Sequence, residues 1–188
     1  MDKRPQSCYN LSYLMKVWAL FMPVSLLPRI IAVELPDLTP EFLTERGIRL
    51  LMLDFDNTIV PYTTNEPTQK MLDWLKMMQQ SDIQLCVVSN SKRDRVKIFC
   101  EKYGLACVTH AKKPFSKGIK ACLAQFGIPK ENAALVGDQI YTDTLGANCA
   151  GVNSILVKAI HNHNFWLKLR HVAELPFIYA AKKRRIAK

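Results

Sequence analysis

Asp54-Phe55-Asp56-Asn57-Thr58 follows directly on the apolar run Leu50-Leu51-Met52-Leu53. Two carboxylates so close together at the end of an apolar stretch are costly unless a cation or a proton separates their charges. Further polar clusters stand in the same relation to apolar runs. Ser89-Asn90-Ser91 follows Leu85-Cys86-Val87-Val88, Lys113-Pro114 comes shortly after Leu105 to Val108, and Gly137-Asp138, with Asp143 beyond it, follows Ala133-Ala134-Leu135-Val136. Acid, hydroxyl, ammonium and acid form a coherent set for phosphoryl transfer. A carboxylate can attack phosphorus once the anionic repulsion is cancelled, and a hard divalent cation on oxygen ligands does this. Mg²⁺ suits because it binds few carboxylates and keeps room for phosphate and water. Asp54 is the expected nucleophile. Asp138 completes the metal site, Asp143 holds a coordinated water, Ser89 donates to a phosphate oxygen, and Lys113 opposes the developing charge. Asp56 is left to protonate the leaving oxygen and then to activate water. Taken singly, Ser89 is a helix cap, Lys113 a solvated lysine and Gly137-Asp138 a turn; their order after successive apolar runs is the specific feature.

The elements that must position these groups alternate. After a short helix Pro40 to Arg46, capped by Thr39 and ended by Gly47, strand Arg49 to Leu53 is apolar at consecutive positions, as in a strand covered on both faces of a parallel sheet. Helix Pro67 to Gln80 places Met71, Leu72, Leu75 and Met78 on one face. Strand Leu85 to Val88, a helix from about residue 92 to Tyr103, strand Leu105 to Val108, helix Phe115 to Phe126, strand Ala133 to Val136, helix Thr144 to Ala150 and strand Ser154 to Val157 complete the series. This alternation predicts an α/β three-layer sandwich, a parallel sheet with right-handed crossovers, and every strand-end cluster on one edge.

The chain has 188 residues, enough for one domain with a substantial core. Its organisation is read as an N-terminal amphipathic segment 1–35, the catalytic domain 36–160 and a basic tail 161–188. Leu14, Met15, Trp18, Phe21 and Met22 recur at helix-like spacing within Leu11 to Ile31, either an interfacial anchor or a stripe packed on the domain. The apolar stretch Val17 to Leu27 holds Pro23 and falls short of the ~20 residues that span a bilayer. A cytoplasmic protein, at most peripheral to a membrane, is expected. Six scattered cysteines without Cys-x-x-Cys spacing read as reduced core residues. A net charge of +10 predicts an anionic partner. Beyond Lys158, His161, His163, Lys168, Arg170, His171 and Lys182 to Arg185 face Glu174 alone. Such a tail is usually solvated, and near anionic lipid each basic residue adds about 1 kcal/mol. His161-x-His163 is too sparse for a metal site.

Asp54-Phe55-Asp56-Asn57-Thr58, Ser89-Asn90, Lys113-Pro114 and Gly137-Asp138-x-x-x-x-Asp143 resemble the four motifs of the haloacid dehalogenase (HAD) superfamily, and the chain is similar to its subclass IIIA, YqeG-type phosphatases. The resemblance runs over about residues 26 to 160. It implies a HAD-like fold, Asp54 as nucleophile, Asp56 as acid and base, the Asp56 carbonyl and Asp138 as further Mg²⁺ ligands beside Asp54, and phosphate contacts from Thr58, Ser89, Asn90 and Lys113. The links between motifs are each filled by one helix-strand passage, which leaves no room for a large cap domain and predicts an open site. An open site suits a large or surface-displayed phosphate ester. Similar proteins include the mitochondrial phosphatidylglycerophosphate phosphatases, so a lipid headgroup is the expected substrate and an anionic membrane a peripheral contact. A rival reading, a HAD scaffold that binds RNA or ribosomes, is permitted by the charge, but no aromatic-and-basic RNA-binding pattern appears and nucleic acid is not expected. A receiver domain phosphorylated on Asp54 is disfavoured by Asp56 and by Asp138 late in the chain. The oligomeric state is left open.

Overall fold

Short apolar strands need cover on two faces, and the intervening helices supply it. A computed structural model of the chain describes residues 25–64, 66–91, 94–160 and 175–181. Within them the strands are β1 (Ile30–Ile31), β2 (Leu50–Leu53), β3 (Gln84–Val88), β4 (Ala106–Val108), β5 (Ala133–Gly137) and β6 (Asn153–Leu156). The helices are α1 (Pro40–Thr44), α2 (Gln69–Gln79), α3 (Arg95–Lys102), α4 (Lys117–Phe126) and α5 (Leu145–Ala150). The sheet runs β1-β6-β5-β2-β3-β4 with every pair parallel. From β2 the chain steps outward through β3 to β4, then returns to β5 on the other side of β2. The direction of winding therefore reverses at β2, and open α/β sheets bind ligands in the crevice at such a point, beyond the strands' carboxyl ends.

Alternation along the strands divides the core into two layers. Leu51 and Leu53, Leu85 and Val87, and Ala134 and Val136 face the layer of α1, α2 and α3, joined by Trp74, Met78, Val96 and Phe99. Leu50 and Met52, Cys86 and Val88, and Ala133 and Leu135 face α4 and α5 through Ile119, Cys122, Ala147 and Ala150. Burying β2 on both sides holds its carboxyl end rigidly. The free cysteines Cys86, Cys100 and Cys122 are buried in these layers. Burial and the neighbouring Cys107 push the Cys100 thiol up, which keeps it protonated and inert.

Three features depart from the expected elements. The part of the N-terminal stripe that is described is not helical: Ile30–Ile31 adds strand β1 beside β6, and Ala32 and Leu35 enter the core. A pair of β-branched residues after Pro28 fits an edge strand better than a helix. The helix expected from Thr144 begins as a π-helical turn, Ile140–Thr144, before α5. In the tail, residues 175–180 are helical, Ala181 is fully buried, and the Phe177 ring meets Tyr141 edge-on at 6.3 Å between centroids. Residues 1–24, His161, His163 and Lys182 to Arg185 lie outside the described residues. Among those described, no helix is long and apolar enough to cross a membrane.

Candidate active site

Asp54 leaves β2 with its backbone still in the ladder, its N–H donating to Val136 O at 2.9 Å. The chain then turns tightly. Asn57 adopts φ +61°, a conformation asparagine tolerates better than most residues, and its N–H donates to Val60 O at 2.7 Å. The Asn57 side-chain oxygen accepts the Tyr62 N–H at 3.0 Å, and Ile160 N–H donates to Asn57 O at 2.9 Å. This cinched loop brings Thr58 back over the strand end, where its hydroxyl donates to Asp54 Oδ2 at 3.4 Å.

Lys113 comes from the segment after β4, and three contacts explain its position. Ala111 N–H donates to Ser89 O at 3.0 Å, joining the segment to the end of β3. Asn90 then clips the Lys113 backbone at both ends: its Nδ2 donates to Lys113 O at 2.8 Å and its Oδ1 accepts Lys113 N–H at 2.6 Å. Gly118 of α4 lies so close that a Cβ there would come within 2.6 Å of Ala111. The Lys113 side chain is 1% exposed, and its ammonium donates to Asp54 Oδ1 at 2.6 Å and pairs with Asp143 Oδ1 at 2.8 Å. Burial alone would pull that ammonium down, but the flanking carboxylates of Asp143 and Asp54 outweigh it and hold its pKa above the ordinary lysine value.

Asp143 is carried by the π-helical turn and reaches back over Gly137. Its Oδ2 accepts the Gln139 N–H at 3.1 Å. Burial pushes its carboxyl up to about 6; Lys113 opposes that shift and Asp54 adds to it. A Cβ on Gly137 would fall 2.3 Å from the Asp143 carboxyl, so only glycine lets the two approach. Gly137→Ala is therefore expected to displace Asp143 and to lower catalytic turnover by about 10²-fold, the size of effect that misplacing a group by ~1 Å produces. Phosphate-release assays alongside a thermal melt will separate this from unfolding.

Asp138 is half-buried beside them, and Asp54, Asp138 and Asp143 can each offer one carboxylate oxygen, all within 4.8 Å of one another. Ser89 is buried at the end of β3, its Oγ accepting the Ser91 N–H at 3.0 Å. Asp56, by contrast, turns to Arg95 at the start of α3, forming an ion pair and hydrogen bond through Oδ1. Asp54, Thr58, Lys113, Asp138 and Asp143 thus converge, Ser89 and Asn90 support the Lys113 segment, and Asp56 stands against a cation. Arg95 is absent from the sequence-based set. Lys92, Arg93, Arg95 and Lys97 form one basic run in which nothing distinguishes Arg95; only the helix start singles it out.

The haloacid dehalogenase-like hydrolase family profile matches residues 54–157. The curated protein "Probable phosphatase YqeG" of Bacillus subtilis (strain 168) is 31% identical over 148 residues, which cover 78% of this chain and 86% of that protein. Among solved structures, an uncharacterized protein from Listeria monocytogenes serotype 4b superposes with a TM-score of 0.50 at 17% identity, covering 70% of this chain and 99% of that one. A HAD-superfamily hydrolase from Ehrlichia chaffeensis gives a TM-score of 0.50 at 15% identity over 70% of this chain and 98% of its own. At those identities the structures show a common fold, while the family match and the curated relative together cover the strand-end clusters and most of the chain. The chain belongs to the haloacid dehalogenase-like hydrolase family.

Proposed function

We propose that this hydrolase is a Mg²⁺-dependent phosphatase that cleaves a phosphate monoester through an aspartyl-phosphate on Asp54. The observation that carries the reading is the buried Lys113 ammonium shared between Asp54 and Asp143. A lysine so placed neutralises part of the charge that would repel a phosphate and orients one oxygen of Asp54 for attack.

The donor set fits a divalent cation. Three carboxylates against one ammonium leave two net negative charges in a cluster whose donors are all oxygen, the preference of Mg²⁺. Asp54, Asp138 and the Asp56 backbone carbonyl would hold it, with Asp143 on a coordinated water; when bound it supplies Lewis-acid neutralisation of the phosphate oxygens. The chain's own groups then divide the chemistry. An Asp54 oxygen attacks phosphorus as the bond to the leaving oxygen breaks, and Asp56 gives that oxygen a proton. Asp56 next takes a proton from water, whose oxygen displaces the Asp54 carboxylate and releases phosphate. Ser89, whose Oγ accepts from Ser91, has a hydroxyl proton to offer a phosphate oxygen, and Thr58 would turn its own from Asp54 to the phosphate. Asn90, whose amide is engaged on the Lys113 backbone, acts by fixing that lysine.

Cation binding is expected to depend on pH with a definite sign. Asp143 is raised from 3.8 to about 6 in the folded chain, so between those values folding takes up a proton and the cation-free protein gains stability as pH falls. A cation competes with that proton. The rise in melting temperature given by millimolar MgCl₂ is therefore expected to be full above pH 7 and to shrink as pH falls through about 6. A shift of equal size at pH 5 and pH 8 would contradict it.

For the substrate, the described links between motifs hold single helices and strands with no inserted domain, and Tyr62 and Phe115, a few positions along the chain from Thr58 and Lys113, are 53% and 73% exposed. A site into which no described link inserts a cap, with exposed aromatic residues in its flanking loops, suits a phosphate displayed on a large, partly apolar molecule. We place a lipid phosphate such as phosphatidylglycerophosphate first, with an anionic membrane as the surface that presents it. The test is phosphate release, with and without Mg²⁺, from phosphatidylglycerophosphate in mixed micelles against sugar and nucleotide monophosphates. Turnover confined to the small esters would remove the lipid assignment.

A further inference from the structure

Asp56 stands apart from the cluster formed by Asp54, Asp138 and Asp143, and its surroundings are specific. The Arg95 guanidinium pairs with Asp56 Oδ1, donates to Tyr62 O at 3.2 Å, and lies 5.0 Å from the Phe55 ring centroid and 5.8 Å from that of Tyr62. Phe55, the residue between the two acids, is fully buried and packs edge-on at 5.2 Å against Phe99, one helical turn along from Arg95. The Arg95 side chain is only 12% exposed and that of Asp56 is 23% exposed. A guanidinium held on one side by a carbonyl and flanked by rings has little freedom, and its fork, one nitrogen on Tyr62 O and the other on Asp56 Oδ1, fixes where that carboxylate oxygen lies.

We infer that Arg95 is a positioning residue for Asp56 in the second half of the reaction, the hydrolysis of the aspartyl-phosphate. The inference rests on the reading of Asp56 given under Proposed function. In that half-reaction the oxygen–phosphorus bond to water forms, the bond from Asp54 to phosphorus breaks with its electron pair returning to Asp54, and a water proton passes to Asp56. The partner of a guanidinium is a carboxylate, which is the form that accepts this proton, and its orientation sets the line along which water is activated. Formation of the aspartyl-phosphate from an ester with a stable leaving group such as p-nitrophenolate asks no proton of Asp56. With such an ester Arg95 therefore acts on one half-reaction and not the other.

The experiment is rapid-quench kinetics of the full chain with p-nitrophenyl phosphate and MgCl₂, comparing wild type, Arg95→Ala, Arg95→Lys and Asp56→Asn. Arg95→Ala is expected to keep the burst of p-nitrophenolate within about threefold of wild type while steady-state turnover falls about 10- to 100-fold and acid-stable phosphoenzyme accumulates. Arg95→Lys, which keeps the charge without the fork, should recover part of that turnover. Adding Arg95→Ala to Asp56→Asn should cost nothing further, since the residue acts through the acid. If burst and turnover fall together, or neither changes, Arg95 is merely structural or idle and the inference is overturned. Should Asp56→Asn itself hydrolyse its phosphoenzyme at the wild-type rate, the assignment of Asp56 fails and takes the inference with it.

Discussion

Lys113→Ala is expected to lose at least about 10³-fold in turnover and, unusually for a catalytic lysine, to lose stability as well. Both follow from one placement. The ammonium is buried between Asp54 and Asp143 at 2.6 and 2.8 Å, so removing it leaves two carboxylates facing each other without a counter-charge. Breaking a buried pair from one side costs about 3–5 kcal/mol. For a domain of this size a loss of about 3 kcal/mol lowers the melting temperature by roughly 6–12 °C. The ammonium is held above the ordinary lysine value, so its contribution is complete at neutral pH and would be lost only as pH rises through the lysine range. The deficit of the variant should therefore be present at pH 7, shrink as acid protonates the carboxylates, and shrink again on adding MgCl₂, which supplies charge to the same cluster. Calorimetry of wild type and variant at two pH values, with and without the ion, reads all of this. A variant as stable as wild type at pH 7 in the absence of the ion would mean that Lys113 is solvated and does not bridge the acids.

Asp54→Asn is expected to reduce phosphate release by about 10⁴-fold or more while leaving the fold intact. Asparagine keeps the shape: its one oxygen can accept from Lys113, its amide can donate to the Thr58 hydroxyl, and Lys113 retains Asp143 as its other partner. What it loses is the proposed nucleophile and one negative charge of the proposed cation cluster. Weaker stabilisation by MgCl₂ should accompany the loss of activity, and release of p-nitrophenolate and of phosphate should disappear together, because no first half-reaction occurs. Retained phosphate release would move the nucleophile elsewhere.

The layered fold was legible because its strands are apolar at consecutive positions. Leu50 to Leu53 and Ala133 to Val136 are buried throughout, and such runs bounded by Asp, Ser or Gly have few alternatives to a central parallel strand. The residues meeting at the sheet edge were legible for the same reason, since a parallel sheet puts every strand's carboxyl end on one side. What escaped depends on contacts between distant segments. Ile30–Ile31 is too short to show a period and becomes a strand only because β6 offers an edge. Nothing in Ser89-Asn90 shows that the amide will grip the Lys113 backbone 23 positions away. Arg95 is one of several cations in a basic run, and the pairing with Asp56 spans 39 positions. The short helix at 175–180 sits in a stretch whose charge suggested solvent, yet Phe177 finds the ring of Tyr141 beyond Asp138.

In the proposed reaction Asp54 accepts a phosphoryl group. The most direct measurement is to mix the protein with MgCl₂ and ³²P-labelled phosphate ester, quench in acid during turnover, and map the labelled peptide. Label is expected on the peptide containing Asp54, released by hydroxylamine as an acyl phosphate is, and absent from Asp54→Asn. Steady turnover with no covalent label, or label on any other residue, would contradict it.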